Sequence, residues 1–264
     1  RTKLNVDLLR KRLSGLRIGS TLHYFETVDS TNAVGIRLAQ EEAAEGTLIL
    51  ADSQTAGRGR FQRVWQSPSG SNLYFSVVLR PDIPPAEATS LTFVGGVAAF
   101  EALSSYCPKG MEIKWPNDIL INNRKVCGIL TEMKTDGKRV EAVMGVGINV
   151  NIEKGNFAPE YRKTATSLAE ETGRELSRED VLFAFCTQFQ HWYGIFLKEG
   201  FGPIRKAWLS GTAMVGRQVR IKFRDEIKEG KVLGIDNDGA LLLVDSEKAV
   251  QRITAGDATI MPLG

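Results

Sequence analysis

The sequence predicts a mixed α/β body followed by a small β module. Apolar residues recur at helical spacing near the start and again from Leu176 to about Leu209. Between those stretches lie short apolar runs bounded by turn residues, which read as strands. From Gln218 onward the helical pattern is gone and short strand-like runs follow at close intervals. The 264 residues, 42% hydrophobic and 25% charged, suit one large domain or a domain with an appendage.

Taken in order, leucines at 4, 8, 9, 13 and 16 give a helical period, and Leu22 to Val28 reads as a strand. Asp29-Ser30-Thr31-Asn32 offers capping side chains before a helical run to about Glu42. Thr47 to Ala51 is a buried-strand run, and Leu73 to Leu79 resumes as strand. The prolines at 84 and 85 open a helix of small residues toward Tyr106. Glu112 to Trp115 and Ile119 to Ile121 are strand-like around a Pro-Asn-Asp bend. Two longer runs flank Asp136-Gly137, the pattern of a hairpin. A helical stretch follows, with an apolar stripe through Val181, Leu182, Phe185, Phe189, Trp192 and Phe196.

A net charge of +3 does not argue for nucleic acid, so any electrostatic argument must be local. Three scattered cysteines and no Cys-x-x-Cys argue against a disulfide framework or a zinc site and suit a reduced, cytoplasmic protein. The run Leu91 to Ala99 is too short to span a bilayer, and no secretory leader is evident. The serine-hydrolase elbow and the P-loop are absent, and Gly145-Val-Gly147 lacks the third glycine of a dinucleotide fingerprint.

The connection from Ser53 to Ser71 is longer than most loops in compact domains. Gly57, Gly59 and Gly70 let backbone approach a ligand. Arg58, Arg60 and Arg63 supply planar donors suited to phosphate or carboxylate. Alone, it reads equally as a solvated basic loop. Lys114, Asn117, Asp118 and Lys125 gather around the Pro-Asn-Asp bend, where each by itself reads as an ordinary surface or turn residue.

Together, Asp29 to Asn32, Ser53 to Ser76, Lys114 to Leu130 and Gly145 to Asn151 resemble, in order and separation, the motifs of biotin protein ligases. The resemblance covers essentially the whole chain. One departure is Phe61-Gln62, where many members carry an arginine and a glycine.

The resemblance implies an α+β fold. It has a mixed sheet flanked by helices, like class II aminoacyl-tRNA synthetase catalytic domains, over residues 1–211, then an SH3-like barrel over 212–264. It implies activation of biotin by ATP as biotinyl-5′-adenylate, with Mg²⁺ on the phosphates and no protein metal site. Transfer would follow to a lysine of a biotin carboxyl carrier domain of acetyl-CoA carboxylase or a related carboxylase. No operator DNA and no membrane are expected as partners, and a homodimer is compatible.

By motif, Ser30, Thr31, Asn32, Gln54, Arg58, Gly59, Arg60 and Lys125 would hold biotin. Gly57, Arg58, Arg60, Trp65, Lys114, Asn117, Lys125 and Asn149 would hold ATP or the adenylate. Lys125, Arg60, Lys114 and Asp118 would serve catalysis, with the glycine-containing loop closing over the adenylate. The rivals are a lipoate-type ligase, whose Arg-Arg-x-Ser-Gly-Gly-Gly motif is missing, and a basic nucleic-acid-binding module.

Overall fold

A computed structural model describes residues 3–135 and 139–261. The expected turn at Asp136-Gly137 lies outside the described residues. The first helix is α1 (Val6–Leu13), shorter than the leucine pattern suggests, with the Asn5 side chain capping Leu8 N–H. Strand β1 (Leu22–Val28) leads to α2 (Thr31–Gln40), then β2 (Leu48–Gln54) and β3 (Leu73–Leu79). The small-residue helix is α3 (Ser90–Ser104). Strands β4 (Met111–Lys114), β5 (Asp118–Ile121), β6 (Arg124–Thr135) and β7 (Val140–Ile148) follow.

A short helix α4 (Leu168–Thr172) precedes α5 (Arg178–Glu199) and α6 (Phe201–Gly211). The single helical stretch expected from Leu176 to Leu209 is therefore two helices. Gly200, at φ 72°, takes a left-handed conformation that ends α5 and turns the chain into α6.

The seven strands form one mixed sheet ordered β1-β2-β3-β7-β6-β5-β4. Only β1 and β2 run parallel; the other neighbours are antiparallel. Alternation assigns the two faces different tasks. Phe75, Val77, Ile129, Met144, Val146 and Ile148 join the large core that includes the buried faces of α3, α5 and α6. The opposite face carries α2 on a small cluster of Val34, Ala39, Ile49, Val78 and Val143.

Beside α2 that face is nearly bare of side chains. Ser76 of β3 faces Gly145 of β7, and Gly147 faces Gly128 of β6. A sheet stripped of side chains next to a helix start leaves a hollow.

The C-terminal residues form a five-stranded antiparallel sheet ordered β11-β10-β9-β8-β12. Its strands are β8 (Gln218–Phe223), β9 (Glu226–Ile235), β10 (Leu241–Val244), β11 (Val250–Ile253) and β12 (Asp257–Ile260). It is tied to the larger sheet through buried Trp115, whose indole donates to Gly239 O at 3.0 Å.

Candidate active site

The hollow is a cavity of about 630 Å³. One end is formed by Ser30, Thr31, Asn32, Gln54 and Gly145, and the other by Arg58, Arg60, Lys114, Asp118 and Lys125. The glycines are required by space. A methyl group at Gly145 would collide with the Asn32 amide, and one at Gly147 with the Trp65 indole. At Gly128 it would meet both Trp65 and the Lys125 stem at 2.9 Å.

The first end is neutral and hydrogen-bonded internally. Ser30 caps α2 by position but makes no side-chain cap bond, so the Asp-Ser-Thr-Asn stretch is not a simple helix cap. Thr31 N–H donates to Gln54 Oε1 at 2.9 Å, and Gln54 Nε2 donates to Ser67 Oγ at 2.9 Å. Ser76 Oγ lies 2.8 Å from Thr31 Oγ1 and donates to Asn32 Oδ1 at 2.6 Å. The Asn32 amide donates to Leu130 O at 3.1 Å and Glu132 Oε2 at 2.7 Å. Ser30, Thr31, Asn32 and Ser76 are all buried.

The second end is charged, and its cations are paired with carboxylates. Lys125 Nζ sits 2.6 Å from Asp118 Oδ1, and Lys114 Nζ 4.0 Å from Asp118 Oδ2. Burial lowers the pKa of Lys114 from its ordinary 10.5, with Asp118 opposing the shift. Arg60 donates to Asp257 Oδ1 at 3.2 Å and Gly256 O at 3.1 Å, both at the start of β12. Burial also lowers the Arg60 pKa, against Asp257 and Asp118. Arg63 reaches the other oxygen of Asp257 at 2.5 Å, while Arg58 lies 3.3 Å from Glu132.

The loop thus has polar anchors at positions where its own sequence shows only like charges. Its turn uses left-handed Phe61 and Gln62, at φ 54° and 60°, each costing on the order of 1 kcal/mol relative to glycine. The Phe61 ring lies exposed beside Phe223, centroids 6.0 Å apart, with the Arg60 guanidinium 4.7 Å from its centre.

Lys125 is held at both its backbone and its side chain. Its N–H donates to Thr164 O at 2.8 Å, and its carbonyl accepts from Thr166 N–H at 2.9 Å. Asn149 donates to Thr166 O at 3.1 Å, and Asn72 donates to Asn149 Oδ1 at 3.4 Å. Glu171 fastens the same segment, accepting from Thr166 Oγ1 and Arg124, both at 2.6 Å. The Lys125 ammonium stands 5.1 Å from the Trp65 ring centre. Trp65 Nε1 is buried and has no hydrogen-bond partner among the described residues.

All the residues predicted for the site line this one cavity except Gly57. Gly57 is buried behind the loop, where a methyl would strike the Trp65 carbonyl. Its carbonyl accepts from Trp65 N–H at 2.9 Å, which closes the loop's base. Sequence reasoning missed the wall formed by Phe157, Tyr161, Thr164 and Ala165. It also missed Ser76, Glu132 and Asp257. One readable signal was Gly145 and Gly147 on alternate positions of an otherwise apolar strand, since such a spacing clears one face. Nothing comparable marks Asp257.

Residues 24–149 match the biotin/lipoate A/B protein ligase family, and residues 215–260 match the biotin protein ligase C terminal domain. The chain is 38% identical over 256 residues to the bifunctional ligase/repressor BirA of Bacillus subtilis, covering 97% of this chain and 78% of that one. It is 38% identical over 220 residues to the biotin–[acetyl-CoA-carboxylase] ligase of Paracoccus denitrificans, covering 81% and 90%. The fold is similar to the biotin protein ligase from Aquifex aeolicus in complex with biotin and ATP. That match has a TM-score of 0.78 at 30% identity, over 91% of this chain and 98% of that one.

Proposed function

The chain belongs to the biotin protein ligase family, and we propose that it activates biotin as biotinyl-5′-adenylate and passes the acyl group to a lysine of a biotin carboxyl carrier domain. The observation that carries this reading is the cavity's division into a neutral, hydrogen-bonding end and a cationic end. A ureido head with two N–H donors and one carbonyl suits the first. A carboxylate meeting a phosphate suits the second, because two anions approach each other only where fixed cations offset their repulsion.

In the first step a biotin carboxylate oxygen attacks the α-phosphorus of ATP, and the bond to pyrophosphate breaks. Lys125, beside Asp118 and clamped by Thr164 and Thr166, is placed to hold the carboxylate and a phosphate oxygen. Arg58, Arg60 and Lys114 support the phosphate charge. Trp65 offers its unspent indole N–H and its ring to the adenylate side, next to Asn149. A magnesium ion would arrive on the phosphates of ATP.

In the second step the acceptor amine attacks the anhydride carbonyl, and AMP leaves with the bonding pair. Asp118 is the nearest carboxylate to take the amine's proton, once its two lysines turn to the adenylate. Catalysis falls to residues 1–211 in this reading, and the SH3-like module of residues 212–264 supports the loop.

Biotin-dependent release of pyrophosphate from ATP tests the reading. Release with biotin and not with lipoate supports it. Release with lipoate alone, or none with either, overturns it.

A further inference from the structure

The described polar contacts of the neutral end form a circuit that starts and finishes on the same arginine-glycine connection. From Arg58 it runs to Glu132 at 3.3 Å and from Glu132 to the Asn32 amide at 2.7 Å. It passes through Ser76, Thr31 and Gln54 to Ser67, and Ser67 Oγ donates to Trp65 O at 2.9 Å. Glu132 is on β6, two residues past Leu130 and four past Gly128, on the bare face of the sheet.

We propose that Glu132 is a positioning residue that sets which atoms of the biotin-head pocket donate and which accept, and that couples this pattern to Arg58 of the loop. The proposal rests on the reading of this cavity as a biotin site.

Proton direction decides the pattern. An ionised carboxylate only accepts. With Glu132 and the Leu130 carbonyl on one side, the Asn32 amide must turn its NH₂ toward them. Its oxygen then faces Ser76, whose single proton is drawn to it at 2.6 Å. Ser76 therefore has no proton left for Thr31, and the Thr31 hydroxyl must donate, either to Ser76 or to Gln54 Oε1 at 3.3 Å. The far end is set in the same way, because the Trp65 carbonyl also only accepts. A ligand head with its own donors and acceptors meets a pattern already decided, which lowers the cost of ordering it.

The substitution Glu132→Gln would weaken this constraint while preserving shape, since an amide presents either oxygen or nitrogen to Asn32 and only the Leu130 carbonyl is left to hold the NH₂ in place. A flipped Asn32, with Ser76 and Thr31 reversed, then becomes accessible at the cost of one opposed carbonyl. The same substitution releases Arg58 from its only described carboxylate partner. Simple loss of stability predicts weaker binding of every ligand alike. Loss of polarity control predicts relaxed discrimination between heads that differ in one donor.

The experiment is calorimetric titration of the full chain and of Glu132→Gln with biotin and with 2-iminobiotin, whose protonated C=NH₂⁺ replaces the accepting carbonyl by donors; Ser76→Ala, which keeps the Glu132 charge, separates the donor pattern from the loss of a carboxylate. The wild-type chain should bind biotin much more tightly. In Glu132→Gln biotin affinity should fall about tenfold, or about 1.4 kcal/mol. The biotin to iminobiotin ratio should shrink at least fivefold.

Ser76→Ala, which breaks the circuit elsewhere, should shrink the ratio too, and it stands in if Glu132→Gln does not fold. Glu132→Asp should restore part of the ratio. An unchanged ratio in folded variants overturns the role of Glu132 and leaves the ligase reading intact. A wild-type chain that binds neither compound overturns both.

Discussion

The two ends of the cavity solve recognition in opposite ways. At the Ser30–Asn32 end, every described contact is a hydrogen bond between neutral groups or to one carboxylate, and the backbones involved belong to α2, β2, β3 and β6. At the Lys114–Lys125 end, cations from the loop and from β4 and β6 rest on Asp118 and Asp257. Under the proposed function, the neutral end would select by fixed geometry, and the charged end would exchange internal partners for the substrate's. The pairs on Asp118 and that of Arg60 with Asp257 are largely shielded from water, so parting one without a replacement anion costs more than parting a surface pair.

The contrast between the ends is most exposed at Lys125. Lys125→Ala should lower the rate of adenylate formation by about 10²- to 10³-fold, the scale set by loss of one oriented charge. Biotin affinity should fall much less, because the neutral end is intact. Single-turnover adenylate formation and calorimetry on the same variant separate the two ends. A near-normal rate would remove Lys125 from the chemistry.

Gly145→Ala tests the opposite end. The added methyl would drive Asn32 off the sheet, so biotin binding should weaken by at least about tenfold, with a fall in melting temperature from the broken bonds of Asn32. The KM for ATP should move little; an equal rise in both would mean that the two ends are not separable.

Asp257→Ala probes the exchange of partners directly. It removes the carboxylate that holds Arg60 and Arg63, leaving Arg60 its bond to the Gly256 carbonyl, so hydrogen exchange around Gly59 to Arg63 should quicken severalfold in the free protein. Biotin plus ATP should restore protection, since the adenylate supplies the missing anion. Faster dissociation of the adenylate would show that Asp257 also supports the closed loop.

The smallest effect is in pH. The folded pKa of Lys114 lies below its ordinary 10.5, so between the two values the unfolded chain holds more protons. Stability from this group therefore rises with pH across that window, while a charged Lys114 is lost to the phosphates. The alkaline limb of kcat/KM for ATP should fall below pH 10.5, the ordinary lysine value. Lys114→Arg should move it upward; an unmoved limb would assign it to another group.

Much of this was legible in the sequence for local reasons. The strands β1 and β3 follow directly from apolar runs, and the motif residues from Ser30 to Asn149 gather at one cavity because the sheet order brings β2, β3, β7, β6 and β5 side by side. The break at Gly200 was hidden, because the apolar stripe continues through it in register. The wall from Phe157 to Ala165 was invisible for a different reason. It has no periodicity, and its role comes from a single parallel bridge between Lys125 and Ala165. Asp257 sits in a short strand of ordinary composition, and only the packing of two sheets shows that it faces the arginines.

That bridge decides where the chain can be cut. The family match ends at Asn149, yet the backbone on either side of Lys125 is gripped by Thr164 and Thr166, and Thr166 by Glu171. The seven-stranded sheet is complete by Ile148, so a fragment ending there would keep its strand pairings and still lose the grip on its central lysine. The smallest competent piece is thus longer than the smallest sheet. A nick in the connection from 152 to 163 cuts no sheet hydrogen bond; it cuts the tether that brings the clamp to Lys125.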